Sequence, residues 1–228
     1  MGVCGGSQIK DFRDAEEEGK DSMPELEVIR TASDRRYEGV KLEADFGNPK
    51  WIERHRHMFH FLDPNNNNAV SLDELIYKAS EEICKKIGAT PEQTERHSQA
   101  VENFFSAAGL KHGEETEWDE YIKGWERLSR SELRKWEKHQ ITLIRLWGDA
   151  LFDIIDKNGN GSISFEEWTL YTKCAGIITT DEDRANTFRV CDRDGDGRID
   201  VDEMTRQHVG FWYTADPRSD GLYGKSVP

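Results

Sequence analysis

The sequence predicts an all-α protein built from four helix–loop–helix units. Three observations support this fold class. Apolar residues recur at helical spacing on both sides of short polar loops, two of those loops match a twelve-residue calcium pattern, and no long alternating segment indicates a sheet. We expect extended structure only as short residue pairs inside the loops. A chain of 228 residues is long enough to bury a substantial core.

The composition excludes several classes of partner. The formal net charge is −14, so we expect no nucleic-acid binding, because no basic stripe would neutralise phosphates. No apolar run approaches the roughly 20 residues that a membrane span needs. The four cysteines show no metal-ligand spacing, and the first residues contain no apolar signal region. We therefore expect reduced thiols and a cytoplasmic location.

The chain divides at about residue 40. Residues 1–40 are rich in Gly, Asp, Glu and Lys without helical periodicity, which predicts a flexible N-terminal extension. Its first residues, MGVCGGS, have Gly6 where the myristoylation pattern has Ser or Thr. Lipidation, and with it a membrane partner, is therefore not expected. Residues 41–228 form the predicted folded domain.

The helices of this domain follow from their boundary signals. The first unit has an entry helix in NPKWIERHRHMFHFLD, with Pro49 in its first turn, and an exit helix that ends at Gly88. The second unit begins with Thr90 as N-cap of TPEQTERHSQAVENFFSAAG and continues in EWDEYIKGWERLS. The third and fourth units contain the pairs TLIRLWGDALFDIID with SFEEWTLYTKCAG and TDEDRANTFRVCD with VDEMTRQHVGFWY.

The third and fourth loops, residues 156–167 and 192–203, meet every requirement of a calcium loop. Such a loop supplies oxygen ligands from positions 1, 3, 5, 7, 9 and 12, of which position 7 uses its backbone carbonyl, and it needs a glycine at position 6. The candidate ligands are Asp156, Asn158, Asn160, Ser162, Ser164 and Glu167 in the third loop, and Asp192, Asp194, Asp196, Arg198, Asp200 and Glu203 in the fourth. We expect two strong calcium sites.

The first loop, residues 63–74, fits the pattern less well. Its candidate ligands are Asp63, Asn65, Asn67, Ala69, Ser71 and Glu74. Asn68 replaces the glycine at position 6, and asparagine tolerates the left-handed conformation better than other non-glycine residues. We expect a third, weaker calcium site here.

The second loop, residues 109–120, has lost the pattern. Gly109, Lys111 and Gly113 stand where ligand oxygens are needed, and the lysine would repel a cation. We expect a degenerate loop without metal.

Aromatic and polar side chains share the faces that such units bury. They fall three or four residues apart on several helices: His55, Met58, Tyr121, Trp125, Trp147, Trp168, Tyr171, His208 and Trp212. A single buried histidine is usually an ordinary core residue. So many imidazole, phenol and indole groups at corresponding positions of several helices predict an internal apolar cavity for an aromatic small molecule.

Several segments together resemble the calcium-regulated coelenterazine photoproteins of the aequorin and obelin type, in the EF-hand superfamily. They are VKLEADFGNPKWIERHRHMFHFLD, ATPEQTERH, TLIRLWGDALFDIIDK and VDEMTRQHVGFWYTADPRSDGLYG. The resemblance extends over about residues 40–228 and includes the degenerate second loop. It implies one compact globule of two lobes around an internal ligand cavity.

The resemblance also implies a reaction. The two lobes would enclose 2-hydroperoxycoelenterazine, formed from coelenterazine and molecular oxygen. Calcium would trigger its decarboxylation to coelenteramide, carbon dioxide and blue light. The chain would then be a single-turnover, luciferase-like oxygenase acting on a small-molecule luciferin. We expect a monomer, and a fluorescent protein that accepts the emitted energy is a candidate partner.

The family's functional residues map onto this chain. The resemblance implies that Tyr223 bonds the peroxide and that His208 supports it, with Trp212 stacked nearby. Tyr171, with Trp168 beside it, would contact the heterocycle. His55, Tyr121 and Trp125 would surround a hydroxyphenyl group, and the tail ending at Pro228 would exclude water. The candidate ligand contacts also include Met58 and Trp147.

Two other functions remain open at this point. A calcium-dependent coelenterazine carrier would release its ligand intact, without light. A calcium buffer or sensor would need only an aliphatic core where His208, Trp212 and Tyr223 stand.

Overall fold

The computed structural model describes residues 44–176, 178 and 180–219. Within these ranges the chain forms α1 (Pro49–Leu62), β1 (Ala69–Ser71), α2 (Leu72–Ile76), a π-helical turn (Tyr77–Glu81), α3 (Glu82–Ile87), α4 (Pro91–Ala107), β2 (Glu115–Glu117), α5 (Trp118–Glu137), α6 (Leu143–Ile155), α7 (Phe165–Ala175), α8 (Asp181–Cys191), α9 (Val201–Trp212) and a 3₁₀ turn (Pro217–Ser219). The predictions for the extension 1–40, for Tyr223 and for the tail ending at Pro228 lie outside the described residues.

The predicted helix boundaries are confirmed at their capping residues. The Asn48 side chain accepts a hydrogen bond from the backbone N–H of Lys50, and Pro49 occupies the first turn of α1. Thr90 and Gln93 cap α4 reciprocally, which satisfies two otherwise unpaired backbone donors. Gly88 ends α3 in the left-handed conformation, with φ of 73°.

Two helices differ from the sequence prediction. The exit helix of the first unit contains the π-helical turn, inside which the Ser80 hydroxyl lies 2.7 Å from Nδ1 of His97. Such a turn adds a residue to the helical repeat and rotates the side chains that follow it. Helix α5 continues to Glu137, well past the predicted segment, because Leu133 and Trp136 extend its buried face.

Short strands join the loops in pairs. Strands β1 and β2 are antiparallel, with Val70 opposite Thr116, and they link the first loop to the degenerate second one. Ile163 and Ile199 exchange backbone hydrogen bonds of 2.8 and 3.0 Å between the third and fourth loops. The pairing explains why a loop without ligands persists: its strand completes the ladder of its neighbour. The expected restriction of strands to the loops is confirmed for the described residues.

The two pairs of units pack into one continuous core. Helix α4 packs on α6, α3 on α7, and α1 on α9. Large side chains are fully buried at the centre of this core, among them Trp51, Phe104, Trp125 and Trp212. In the described part of the chain, no helix has the length and apolar character to cross a membrane.

A close approach between helices gives a test of this packing. A Cβ atom on Gly124, in α5, would lie 1.8 Å from the backbone carbonyl oxygen of Ala108. We expect Gly124→Ala to lower the free energy of unfolding by about 1–3 kcal/mol, because backbone must move to relieve the overlap. The helix preference of alanine, about 1 kcal/mol, offsets only part of this loss. Urea unfolding measures the change.

The matched control is Gly148→Ala in α6, where the nearest atom would be Thr205 Oγ1 at an ordinary 3.5 Å. We expect this variant to be as stable as the parent or slightly more stable. Equal stabilities of the two variants would contradict the close packing of α5 against the end of α4.

Candidate functional site

The fourth calcium loop brings its acidic side chains together. Carboxylate oxygens of Asp192, Asp194 and Asp196 all lie within 4.8 Å of one another. The chain turns back on itself because Gly195 and Gly197 adopt φ of 75° and 83°. Their N–H groups donate to the two oxygens of Asp192, at 2.8 and 3.0 Å. Oxygen ligands grouped in this way suit Ca²⁺.

The third loop has the same geometry with fewer charges. The N–H groups of Asn160 and Gly161 donate to the carboxylate of Asp156, at 3.2 and 2.8 Å, and Gly161 has φ of 80°. The side chain of Asn158 donates to Glu167 Oε1 at 2.8 Å. The candidate ligands at both ends of this loop therefore lie close together.

The first loop makes the required turn with asparagine. Asn68 has φ of 63°, and its N–H donates to Asp63 Oδ2 at 3.0 Å, as the glycine at the same position does in the other two loops. The predicted left-handed conformation at this position is confirmed. Calcium binding by this loop stays a prediction.

The last ligand of each loop also caps the following helix. Ser71 with Glu74, Ser164 with Glu167, and Asp200 with Glu203 form reciprocal capping boxes at α2, α7 and α9. These glutamates would also hold calcium, so a change in their position on binding would alter the first turn of the exit helix. This couples each loop directly to the helix that leaves it.

The degenerate second loop is tied to the first unit. His112 Nδ1 lies 2.6 Å from Asp73 Oδ1, and the N–H of Gly113 donates to Asp73 Oδ2 at 2.8 Å. The hydrogen bond to Asp73 raises the pKa of His112, and a second contact to Glu102 acts in the same direction. The loop thus contributes a polar clamp and a strand in place of calcium ligands.

Most of the predicted aromatic residues meet in the interior. The indoles of Trp125 and Trp212 stack with centroids 4.6 Å apart, and the His55 ring lies 5.2 Å from Trp125 and 5.6 Å from Trp212. Tyr121 is fully buried, 6.2 Å from His55. The structure therefore brings together side chains from α1, α5 and α9. We call His55, Tyr121, Trp125, Trp147, His208 and Trp212 the aromatic cluster.

The His55 ring is held in one tautomer. Its Nε2 donates to the carbonyl of Trp212 at 3.1 Å, because a carbonyl oxygen only accepts. The other nitrogen, Nδ1, is buried and has no hydrogen-bond partner among the described residues. Burial lowers the pKa of His55 to about 3, so the ring is neutral at pH 7 and Nδ1 offers a lone pair.

His208 is also buried and neutral. Its Nδ1 donates to the backbone carbonyl of Met204 at 2.7 Å, which leaves Nε2 as the accepting nitrogen. Burial lowers its pKa to about 4, although the bond to Met204 acts in the opposite direction. The ring lies 5.2 Å from Trp147. His208 thus brings α9 into the aromatic cluster, and the role that the family resemblance implies for it stays a prediction.

A small cavity opens next to the cluster. Its volume is about 30 Å³, and its wall includes the predicted contacts Met58, Trp147, Tyr171 and Trp212. This space has room for water but not for a ligand of several rings. A ligand of that size would have to separate the neighbouring aromatic rings to occupy this particular space.

Tyr171 lines this cavity, and Trp168 lies next to Tyr171. Trp168 contacts Tyr171 at 5.8 Å, but its indole N–H donates to Thr187 Oγ1 at 3.2 Å, on α8. Burial raises the pKa of Tyr171 well above its ordinary value, so the phenol is protonated at pH 7. Tyr171 is thus placed to contact a ligand directly, while Trp168 packs behind it.

Sequence reasoning missed His97. Its Nε2 accepts from the Trp147 indole at 3.1 Å, and its Nδ1 donates to Ser80. The helical spacing of His97, Val101 and Phe104 on α4 was available as a signal. These residues are fully buried, and Phe104 stacks on Trp147 at 5.1 Å.

This chain is similar in sequence and structure to calcium-regulated photoproteins. Residues 146–207 match the family model of the EF-hand domain pair. Aequorin-1 of Aequorea victoria is 64% identical over 189 residues, which cover 83% of this chain and 96% of that protein.

Solved structures agree with this result. The crystal structure of the apoaequorin complex with (S)-HM-daCTZ has a TM-score of 0.77 and 59% identity, and the match covers 83% of this chain and 97% of that one. The Ca²⁺-regulated photoprotein mitrocomin from Mitrocoma cellularia has a TM-score of 0.78 and 59% identity, over 83% of this chain and 96% of that one.

The buried histidines predict a dependence of stability on pH. His55, His97 and His208 have folded pKa values of about 3, 4 and 4, lowered by burial, against about 6.5 in an unfolded chain. Between pH 6.5 and about 4 the unfolded chain binds protons that the folded protein does not. We therefore expect the free energy of unfolding to fall on acidification, by up to about 1.4 kcal/mol per pH unit for each histidine.

Urea unfolding at a series of pH values, with calcium chelated, measures this slope. His97→Gln should give a shallower slope, because one of the three groups is removed. A stability that stays constant from pH 6.5 to 4.5 would contradict the burial of neutral histidines.

Proposed function

Because the chain belongs to the family of calcium-regulated photoproteins, we propose that its calcium loops and its aromatic cluster act as one light-emitting site. The protein binds calcium and coelenterazine, and calcium triggers the emission of light. The assignment of individual residues rests on one observation above all. A buried, neutral His208 stands on the helix that begins at the fourth calcium loop, next to Trp147.

The aromatic cluster fits a planar, hydroxylated heterocycle. His55 Nδ1 is a buried acceptor without a hydrogen-bond partner among the described residues, so a hydroxyl group of the ligand would satisfy it. The rings of Tyr121 and Trp125 flank His55 and would enclose that end of the molecule. Trp147, Tyr171 and Trp212, which line the cavity, would contact the remainder.

The protein supplies orientation, exclusion of water and proton control. Bound coelenterazine supplies the reactivity toward molecular oxygen and the light-emitting group. Neutral His208 would accept or return a proton at Nε2, since Nδ1 is committed to Met204. Tyr171, protonated, would act as a hydrogen-bond donor. A role for Tyr223 beside His208 is part of the proposal from sequence alone.

Calcium would act on His208 through two successive residues. Glu203 is the last candidate ligand of the fourth loop, and the carbonyl of the next residue, Met204, holds the His208 ring. A rotation of Glu203 toward the ion would shift the first turn of α9 and carry that carbonyl with it. Proton transfer depends steeply on donor–acceptor distance, so a small shift suffices as a trigger.

The finer classification is part of the same proposal. We propose a single-turnover, luciferase-like oxygenase, in which one bound coelenterazine is consumed per flash. One chain contributes every side chain of the aromatic cluster, which is consistent with action as a monomer. A fluorescent protein that accepts the energy, and a cytoplasmic location, are proposals from the family resemblance and the composition.

Loading the apoprotein with coelenterazine tests the function directly. We expect purified apoprotein, incubated with coelenterazine in air without calcium and freed of unbound ligand, to flash when calcium is injected. No second flash should follow until fresh coelenterazine is added. Darkness with intact coelenterazine released would indicate a carrier instead. Darkness with no ligand retained would indicate a calcium buffer or sensor.

His208→Ala tests the assignment of the trigger residue. We expect calcium-triggered light to fall at least about a hundredfold, the usual range for loss of a group that transfers protons. Calorimetry should show calcium still bound by the third and fourth loops. His112→Ala, which removes an exposed histidine, is the control and should keep its light. A full light yield from His208→Ala would remove His208 from the mechanism.

A further inference from the structure

A contact outside the aromatic cluster joins the fourth calcium loop to the segment after α9. Arg193 is the second residue of that loop, and its Nη2 lies 3.9 Å from Asp216 Oδ2. The Arg193 side chain is 16% exposed and that of Asp216 only 2%. A charge pair sheltered from water to this extent interacts more strongly than one on the surface.

Asp216 organises the segment 213–219. Its carboxylate accepts hydrogen bonds from the Arg218 backbone N–H at 3.0 Å and from Arg218 Nε and Nη2 at 3.1 and 2.8 Å. Its carbonyl accepts from Arg54 Nη2 at 2.6 Å, and its N–H donates to Thr214 Oγ1 at 3.2 Å. A displacement of Asp216 would therefore disturb several hydrogen bonds of this segment.

The other end of Arg193 is bound to a calcium ligand. Its backbone N–H donates to Glu203 Oε1 at 2.7 Å. Position 12 of this loop type is the bidentate ligand, so the Glu203 oxygen that accepts from Arg193 is one that would contact the ion. The Nε and Nη2 atoms of Arg193 are buried and have no hydrogen-bond partner among the described residues. A shift of the loop would thus tighten or loosen the contact with Asp216 without breaking a hydrogen bond of Nε or Nη2 to another described residue.

The residue at position 2 of the third loop also contacts a part of the chain outside the loop. Lys157 is the second residue there, and its Nζ donates to the carbonyl of Gly88 at the end of α3, at 3.1 Å. In contrast, the guanidinium of Arg198, at position 7, stays between the two loops and donates to Ser162 Oγ at 3.0 Å. Position 2 is therefore where each of these loops contacts structure beyond its own pair.

We propose that Arg193 is a positioning residue that transmits calcium binding in the fourth loop to residues 213–219 through Asp216. This route is separate from the one through Met204 to His208, because it acts on the segment that leads toward Tyr223. The effect of Arg193 on light emission rests on the proposed function. Its structural consequence can be measured without light.

The test is amide hydrogen exchange in residues 213–219 of the full-length apoprotein, with and without calcium. We expect calcium to change the exchange of this segment in the parent, and Arg193→Gln to reduce that change at least about fivefold, in the range of ordinary coupling between sites. Calorimetry should show calcium affinity within about threefold of the parent. Asp216→Asn should reproduce the loss, and the double variant should lose nothing further.

The matched control is Arg189→Gln, which removes an exposed arginine of α8 whose Nη2 donates to the neighbouring Asn186 Oδ1 at 2.6 Å. It should behave as the parent does. An undiminished calcium effect in Arg193→Gln, or no calcium effect on 213–219 in the parent, would overturn the proposal. A loss of calcium affinity in Arg193→Gln as large as the loss of its calcium effect on exchange would also overturn the proposal, since the residue would then act within its own loop.

Light emission from the coelenterazine-loaded protein provides an independent measurement. We expect Arg193→Gln to require about tenfold more calcium for half-maximal light, a shift within the same range of coupling. Absence of light from the coelenterazine-loaded parent would count against the proposed function. The exchange measurement would still decide the role of Arg193.

Discussion

The end of the last helix is held by side chains of the first. The Trp212 carbonyl accepts hydrogen bonds from Trp51 Nε1 and His55 Nε2, each at 3.1 Å. Arg54 reaches the carbonyls of Gly210 and Thr214, at 2.9 and 3.1 Å. The last carbonyls of a helix lack partners within it, and burying them unpaired would be costly. This constraint joins the two lobes, fixes the His55 tautomer and places Trp212 against Trp125.

The aspartates of the fourth loop and the histidines of the aromatic cluster lie in different environments. Asp194 and Asp196 are exposed and Asp192 is half-buried, so water screens their mutual repulsion until a cation binds. The histidines of the aromatic cluster are deeply buried and neutral. Helix α9 begins at the end of this loop and carries His208 into the interior. Cation binding in the loop can therefore alter the position of a proton acceptor farther along the helix.

The packing of the interior also bears on ligand entry. Among the described residues, stacked aromatic rings lie beside a cavity of about 30 Å³. Their stacking and edge contacts are worth about 0.5–1.5 kcal/mol per pair. A ligand with apolar rings that entered between them would replace these contacts with its own. The cluster of large rings can thus serve both as a stable core and as a binding surface.

The sequence by itself determined the features that depend on neighbours along the chain. The turns of the three calcium loops, including the left-handed turn at Asn68, and the caps at Thr90 and Gly88 follow from local backbone geometry, and the structure has these conformations. Helical spacing also identified most of the aromatic cluster, because it reports which face is buried.

Only the tertiary structure decided which buried faces meet and how closely. It placed His97 against Trp147, turned the indole of Trp168 toward Thr187 and brought Arg193 to Asp216. These contacts join residues that are distant along the chain or whose side-chain direction depends on packing. No local spacing encodes them, since they arise when one helix is set against another.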